Sequence, residues 1–328
     1  MIPGYLEKML SIRNNQEFGI LAMDAFNYQY EHIPVYQSYC RLRGIDPAKV
    51  HTIEQIPFIP IEFFKNHRII PDRLGSQIIF TSSGTTGTIN SRHYVASRDI
   101  YHASLLKGFQ TFYGNPSEYC ILALLPSYLE KKESSLVYMV RRLMDLSKHK
   151  DNGFYLNNLE ELAEKLKDLE KLGQKTLLIG VSFALLDLAE KFPMPLKNTI
   201  LMETGGMKGR RKELTRDELH SIFKKAFRLK NIHSEYGMTE LLSQGYSAGE
   251  GLYKSPGWMK ILIRDIYDPY HYIEPGKAGG INVIDLANIY SCSFIETKDI
   301  GITHRDDQFE ISGRFDYTDT RGCNLLVE

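Results

Sequence analysis

Cysteine is scarce in this 328-residue chain: Cys40, Cys120, Cys292 and Cys323 lie far apart, with no C-x-x-C pair among them. That spacing excludes a zinc framework of paired thiolates and a disulfide-stapled scaffold. Long apolar runs are also missing. No stretch approaches the ~20 residues needed to cross a bilayer, and the first residues, MIPGYLEKMLSIRNNQEF, hold no continuous apolar core of signal-peptide type. A cytoplasmic location is therefore expected. An excess of one charge is absent too, since 40 basic residues balance 40 acidic ones and no dense Lys/Arg patch occurs. This argues against nucleic acid as a partner.

No internal repeat, low-complexity tract or Gly/Ser/Pro-rich linker is visible, so one compact domain is the expected parse. Hydrophobic residues make up 43% of the chain, enough for a substantial core. Near the N-terminus Ile20, Leu21, Met23 and Phe26 recur close to helical spacing, and Pro34, Pro57 and Pro60 punctuate the chain after them. Beyond the prolines the texture alternates. Apolar runs at 77–80, 119–125, 175–181 and 198–202 read as buried strands, and amphipathic stretches at 99–112, 134–146 and 159–172 read as helices. Thr215 with Glu218 forms a capping box ahead of Leu219, Ile222, Phe223 and Phe227. This rhythm predicts an α/β core. After Gly257 the runs MKILIRDI, GGINVIDL, CSFIET and DQFEISGR are short and β-like, separated by turns such as EPGKAGG. They predict a small barrel-like sheet set on that core.

The segment IIFTSSGTTGTINSRHYV, from Ile78 to Val95, places a Ser/Thr/Gly-rich loop directly after an expected strand. Gly84 and Gly87 let the backbone approach a polyanion closely, and Ser82, Ser83, Thr85, Thr86 and Thr88 add hydroxyl donors. Walker A spacing is absent and no lysine follows Gly87, so a nucleotide chemistry other than that of P-loop enzymes is indicated. Two more motifs come in order: HSEYGMTE at 233–240 and ETKDIGITHRDDQFEISGRFD at 296–316.

In that order and at broadly that spacing, the three motifs resemble those of the adenylate-forming enzymes. Within that superfamily the chain resembles the LuxE-like acyl-protein synthetases, with phenylacetate-CoA ligases as more distant relatives. The resemblance covers most of the chain from about Phe58 onward. It implies an adenylate-forming fold over residues 1–313, with 257–313 as its β-rich part and 314–328 as hinge and tail. ATP and Mg²⁺ are the implied cofactors. Ser83 to Gly87 would clasp the β and γ phosphates. Tyr236, beside Gly237, offers an aromatic face to adenine, Thr239 a hydroxyl to the α-phosphate, and Glu240, with Thr239, a hard oxygen ligand to the metal. The turn ETGG, with Gly205 and Gly206, would line the adenine and acyl pockets. Asp299 would accept from both ribose hydroxyls, and Arg314 would reach the ribose or the α-phosphate as a permanent cation.

Typical members continue for about a hundred residues past the hinge, here Asp316, into a lid domain with an assisting lysine. This chain runs only to Glu328. The expectation is that a different cation serves, with Lys208, Arg210 and Arg211 as candidates. The short tail matches the acyl-protein synthetases, and the resemblance assigns Cys323 as the thiol that receives the acyl group. Its neighbours Arg321 and Gly322 suit that role, since a guanidinium favours thiolate and glycine leaves access. Cys120 and Cys292, in apolar or strand-like settings, read as inert. The implied reaction activates a carboxylic acid, fatty or aromatic, with a long-chain fatty acid favoured by the resemblance, and hands it to a protein cysteine, then to an acceptor such as a reductase or carrier protein. Two alternatives stay open: an acid-CoA or acid-carrier-protein ligase, and a non-catalytic nucleotide-binding subunit.

Overall fold

The computed structural model describes residues 2–82, 89–126, 131–205 and 214–315. The N-terminal part is helical. Helix α1 (Tyr5–Leu10) precedes α2 (Asn15–His32), which begins where the Asn14 side chain accepts from the Glu17 N–H. Helix α3 (Pro34–Leu42) carries proline in its first turn, where a missing N–H costs nothing. Leu21 and Phe26 enter the core, whereas Ile20 faces outward at 59% exposure, so the helical spacing holds but its buried stripe excludes Ile20. Strand β1 (Ile59–Pro60), helix α4 (Phe63–Asn66), strands β2 (Ile78–Thr81) and β3 (Arg92–Val95) and helix α5 (Arg98–Tyr113) come next.

Alternation then takes over: β4 (Cys120–Leu124), α6 (Ser135–Ser147), β5 (Gly153–Phe154), α7 (Leu159–Lys171), β6 (Thr176–Val181), α8 (Ser182–Lys191), β7 (Thr199–Thr204), α9 (Arg216–Phe227) and β8 (His233–Tyr236). Every residue of β4 and β6 is buried, as unbroken apolar runs must be when both sheet faces are covered. Helix α7 shows the other period, turning Leu162, Ala163, Leu166 and Leu169 inward. The capping box opens α9 as expected, and Leu219, Phe223 and Phe227 bury one face of that helix.

Strands β5, β4, β6, β7 and β8 run parallel, side by side. The remaining strands are β9 (Gly245–Ser247), β10 (Tyr253–Lys254), β11 (Met259–Arg264), β12 (Ala278–Asp285), β13 (Phe294–Thr303) and β14 (Gln308–Arg314). Of these, β11 to β14 form the β-rich region expected after Gly257, but not as a separate sheet. The short strands β9 and β10 pair antiparallel between β8 and β14 and so join both regions into one 12-stranded mixed sheet among the described residues. The apolar run at 77–80 is also corrected. Instead of joining the parallel core, β2 pairs antiparallel with β3 in its own two-stranded sheet, where Phe80 is buried and Ile79 is 42% exposed.

Two apolar cores result. One lies around the parallel strands, and the other packs the N-terminal helices onto the C-terminal strands. Gln29, fully buried, fastens the second. Its amide donates to the Asn288 and Ile289 carbonyls and to Ser293 Oγ, while its Oε1 accepts from the Ser293 N–H. Replacing it by leucine orphans several buried groups at once, and each such group costs about 1–3 kcal/mol. Gln29→Leu is accordingly expected to lower the urea midpoint without changing the slope of the unfolding transition, and an unshifted midpoint would show the cluster to be energetically idle.

Candidate active site

Parallel strands present their carboxyl ends along one edge, and the loops leaving them enclose the usual binding crevice of such sheets. Here Leu125 beyond β4, Val181 ending β6, Thr204 and Gly205 at the end of β7, and Glu235 in β8 line a cavity of about 700 Å³. Gly237 and Thr239 of the HSEYGMTE motif line it as well. Gly205 adopts a left-handed backbone (φ 72°), and its carbonyl accepts from Ser182 Oγ.

Ser82 and Asn90, on either side of the Ser/Thr-rich segment, also line the cavity. Strands β2 and β3 make a hairpin that reciprocal bonds hold just past the paired residues: the Ser82 N–H donates to the Ser91 carbonyl (3.1 Å), and the Ser91 N–H to Ser82 Oγ (2.9 Å). The hairpin is moored twice more. The Thr81 N–H donates to the Glu133 carbonyl at 2.8 Å, and on β3 the ring Nδ1 of His93 lies 2.8 Å from the Thr239 carbonyl. A carbonyl only accepts, so that nitrogen carries the proton. Burial pushes the imidazole pKa down to about 4, which keeps His93 a neutral donor at physiological pH.

The third motif meets the second from the antiparallel side. Asp299 on β13 accepts from Tyr236 Oη (2.9 Å) and pairs with Arg314 Nε (2.9 Å), the last residue of β14. Tyr236 is buried, its ring set edge-on against Tyr253 and Phe309, and its hydroxyl pKa is raised by burial and by the Asp299 charge. Glu240 is buried as well. Burial raises its carboxyl pKa, while a bond to Ser91 and the Arg314 charge partly oppose the rise. Asp285 accepts from the N–H groups of Leu242 and Ser243, which fixes the chain just past the motif.

All three sequence motifs thus meet through direct contacts: His93 to Thr239, Ser91 to Glu240, Tyr236 to Asp299. The model for acyl-protein synthetases of the LuxE type matches residues 10–328. This chain belongs to the LuxE acyl-protein synthetase family. None of the curated proteins matches it significantly by sequence. Among solved structures it is similar to ATP-bound MatB from Rhodopseudomonas palustris, with a TM-score of 0.56 and 16% identity over 74% of this chain and 49% of that one. It is also similar to a 2-hydroxyisobutyryl-CoA ligase in its thioesterification state, with a TM-score of 0.68 and 12% identity over 93% of this chain and 70% of that one. The chain spans about half the length of MatB. Identities this low establish a shared fold, that of the adenylate-forming ligases.

Of the residues anticipated from sequence, this LuxE-family structure places Ser82, Gly205, Gly237 and Thr239 on the cavity wall. Tyr236, Glu240 and Asp299, all buried, and Arg314, largely exposed, do not line it and are linked to it through the contacts described above. Ser83, Gly84, Thr85, Thr86, Gly87, Gly206, Lys208, Arg210, Arg211, Asp316 and Cys323 lie outside the described residues. The other three cysteines are buried free thiols whose pKa values burial raises, to about 12 for Cys40 and Cys120, consistent with inert packing. Sequence reading missed His93 and Ser91, although both come directly after the Ser/Thr-rich segment in the chain. It also missed Glu235, the residue before Tyr236, and its cross-strand partner Thr204.

Acid is expected to destabilise the LuxE-family site through one histidine. Because the folded-state pKa of His93 is depressed below its unfolded value, the unfolded chain takes up a proton first as pH falls from about 6.5 toward 4. Stability is therefore lost across that window. His93→Gln keeps an N–H donor for Thr239 but does not titrate, and is expected to flatten the slope there. An equally steep loss in the variant, followed by urea titration at each pH, would assign the effect to other groups.

Proposed function

We propose that this chain uses ATP to activate a carboxylic acid as acyl-AMP and then passes the acyl group to a protein cysteine as a thioester. The observation that carries the reading is that the hairpin and the HSEYGMTE segment share one cavity at the ends of parallel strands, with the Asp299–Arg314 pair bonded to that segment through Tyr236. Family membership supports acyl transfer to protein. MatB, of the same fold, is a protein solved with ATP, and the 2-hydroxyisobutyryl-CoA ligase was solved with an acyl-adenylate and CoA.

In the first half-reaction a carboxylate oxygen forms a bond to the α-phosphorus while the bond to the β-phosphate oxygen breaks, releasing pyrophosphate. Ser82 and the adjoining Ser83 to Gly87 hold the β and γ phosphates, and the Thr239 hydroxyl donates to the α-phosphate as charge builds on it. Asp299 takes the ribose hydroxyls. It is held for this by Tyr236 and Arg314, with adenine lying beside Tyr236, Gly205 and Gly206. Thr239 and Glu240 suit a magnesium ion: a hard oxygen donor sits next to a buried carboxylate whose charge burial disfavours and a cation would restore. Among the described residues no three metal-ligating side chains cluster, so the rest of the coordination would come from phosphate and water. When bound, the ion supplies neutralisation of phosphate charge.

In the second half-reaction the Cys323 thiolate attacks the acyl carbonyl carbon, the bond to the phosphate oxygen breaks, and AMP leaves. Residues 314–328, with Asp316 as hinge, act as the tail that brings Cys323 to the cavity. A reductase or carrier thiol then takes the acyl group. The acid is a carboxylic acid of fatty or aromatic type, a long-chain fatty acid being the first choice from family membership.

Thr239→Val is expected to lower acid-dependent ATP–pyrophosphate exchange by about a hundredfold, the scale of one lost transition-state donor. Asp299→Ala is expected to raise the KM for ATP about tenfold or more with a smaller effect on kcat, from the loss of charge-assisted bonds. Intact-protein mass after incubation with Mg²⁺, ATP and a panel of acids tests the second step. A hydroxylamine-labile adduct on the wild type and not on Cys323→Ser is expected. Equal adducts on both would move the acceptor thiol elsewhere, exchange without any adduct would favour an external thiol such as CoA, and no exchange with any acid would return the chain to a nucleotide-binding subunit.

A further inference from the structure

Glu235 sets an acidic side chain in the inner wall of the cavity, among Tyr101, Val181 and Leu241, and it is nearly fully buried at 8% exposure. Its Oε2 accepts from Thr204 Oγ1 at 2.6 Å, a cross-strand contact between paired residues of β7 and β8. A carboxyl group has two oxygens, and the second lies over Gly237, where a Cβ would collide with it. Gln244, a second buried polar side chain, lines the same cavity. A wall that had only to receive an unsubstituted hydrocarbon would gain nothing from these groups, since an unmatched buried polar group costs free energy. Burial, with the Glu203 charge beyond, raises the Glu235 pKa to about 7, so near neutrality the group is available both as O–H donor and as carboxylate acceptor.

Resting on the acid-activating reading above, we propose that the acid bound here carries a hydroxyl or oxo substituent, which Glu235 receives by hydrogen bonding with Gln244 beside it. Glu235 is on this view a specificity-determining residue, and the preferred substrates are hydroxy or oxo acids in preference to plain alkyl or aryl acids. A hydroxyl suits the site best because it donates to the ionised carboxylate and accepts from the neutral carboxyl or from an amide N–H. Sites built to bond such a group discriminate strongly against analogues that lack it, because their own buried polar atoms are then left unpaired.

The test is ATP–pyrophosphate exchange with matched acids of equal carbon number, plain against hydroxylated and plain against oxo-substituted, on wild type, Glu235→Gln and Glu235→Leu. Wild type is expected to favour the substituted member in kcat/KM by about tenfold or more. Glu235→Leu is expected to abolish or invert that ratio, with Glu235→Gln between the two, and with the KM for ATP held in all three proteins. A wild-type preference for plain acids, or an unchanged ratio in Glu235→Leu, would overturn the proposal while leaving acid activation standing. Failure of wild type to exchange with any acid would strike the underlying reading instead. If Glu235→Leu unfolds, shown by its melting temperature, the Glu235→Gln ratio decides alone, and parity with wild type counts against the assignment.

Discussion

A buried hydrogen bond from Tyr236 to Asp299 joins the last parallel strand to the antiparallel strands, across 63 residues of chain. Arg314 closes the other face of the same carboxylate. Tyr236 sits between the cavity residues Glu235 and Gly237, so whatever fixes Tyr236 fixes the direction in which the motif enters the cavity. Asp299 can hold it only because β9 and β10 splice the two sheet regions into one continuous ladder. A sheet is stiff along its hydrogen bonds, and a site spread over both regions needs that stiffness to keep its groups in register.

The hairpin is placed by a different means. It lies in its own small sheet, and its position depends on side-chain and backbone bonds to its neighbours: His93 to Thr239, Ser91 to Glu240, Thr81 to Glu133. Those contacts carry polar groups in a buried setting, where each is costly to leave unmade. The neutral state of His93 belongs to this logic, because a charged imidazole there would have lost its water without gaining an ion pair among the described residues. Burial also shapes the chemistry on the cavity wall, where it lifts the carboxyl of Glu235 toward neutrality.

The N-terminal helices matter through packing. Gln29 and Tyr5, which donates to the Leu286 carbonyl at 2.8 Å, tie the start of the chain to the segment between β12 and β13. That segment also contains Asn288, whose amide donates to the Glu240 carbonyl. The helices therefore buttress the site from behind without lining it. The shared fold with larger adenylate-forming ligases is retained in this arrangement, although identity to them is only 11–16%. Fold survives such divergence because it depends on patterns of burial more than on particular side chains.

Much was legible in the residues themselves. Strand and helix identity through the alternating region followed from local periodicity, since β4 and β6 are unbroken apolar runs and α7 and α9 carry capped amphipathic stripes. The three motifs were legible because their chemistry is concentrated in short segments, which a linear reading can see. What the sequence could not decide is what lies across from what. The pairing of β2 with β3 away from the core, the splice of β9 and β10, and the roles of Gln29, His93 and Glu235 all depend on contacts between residues far apart in the chain. Local propensity carries no information about such contacts; they are set when apolar faces bury together and the polar groups caught between them must find partners.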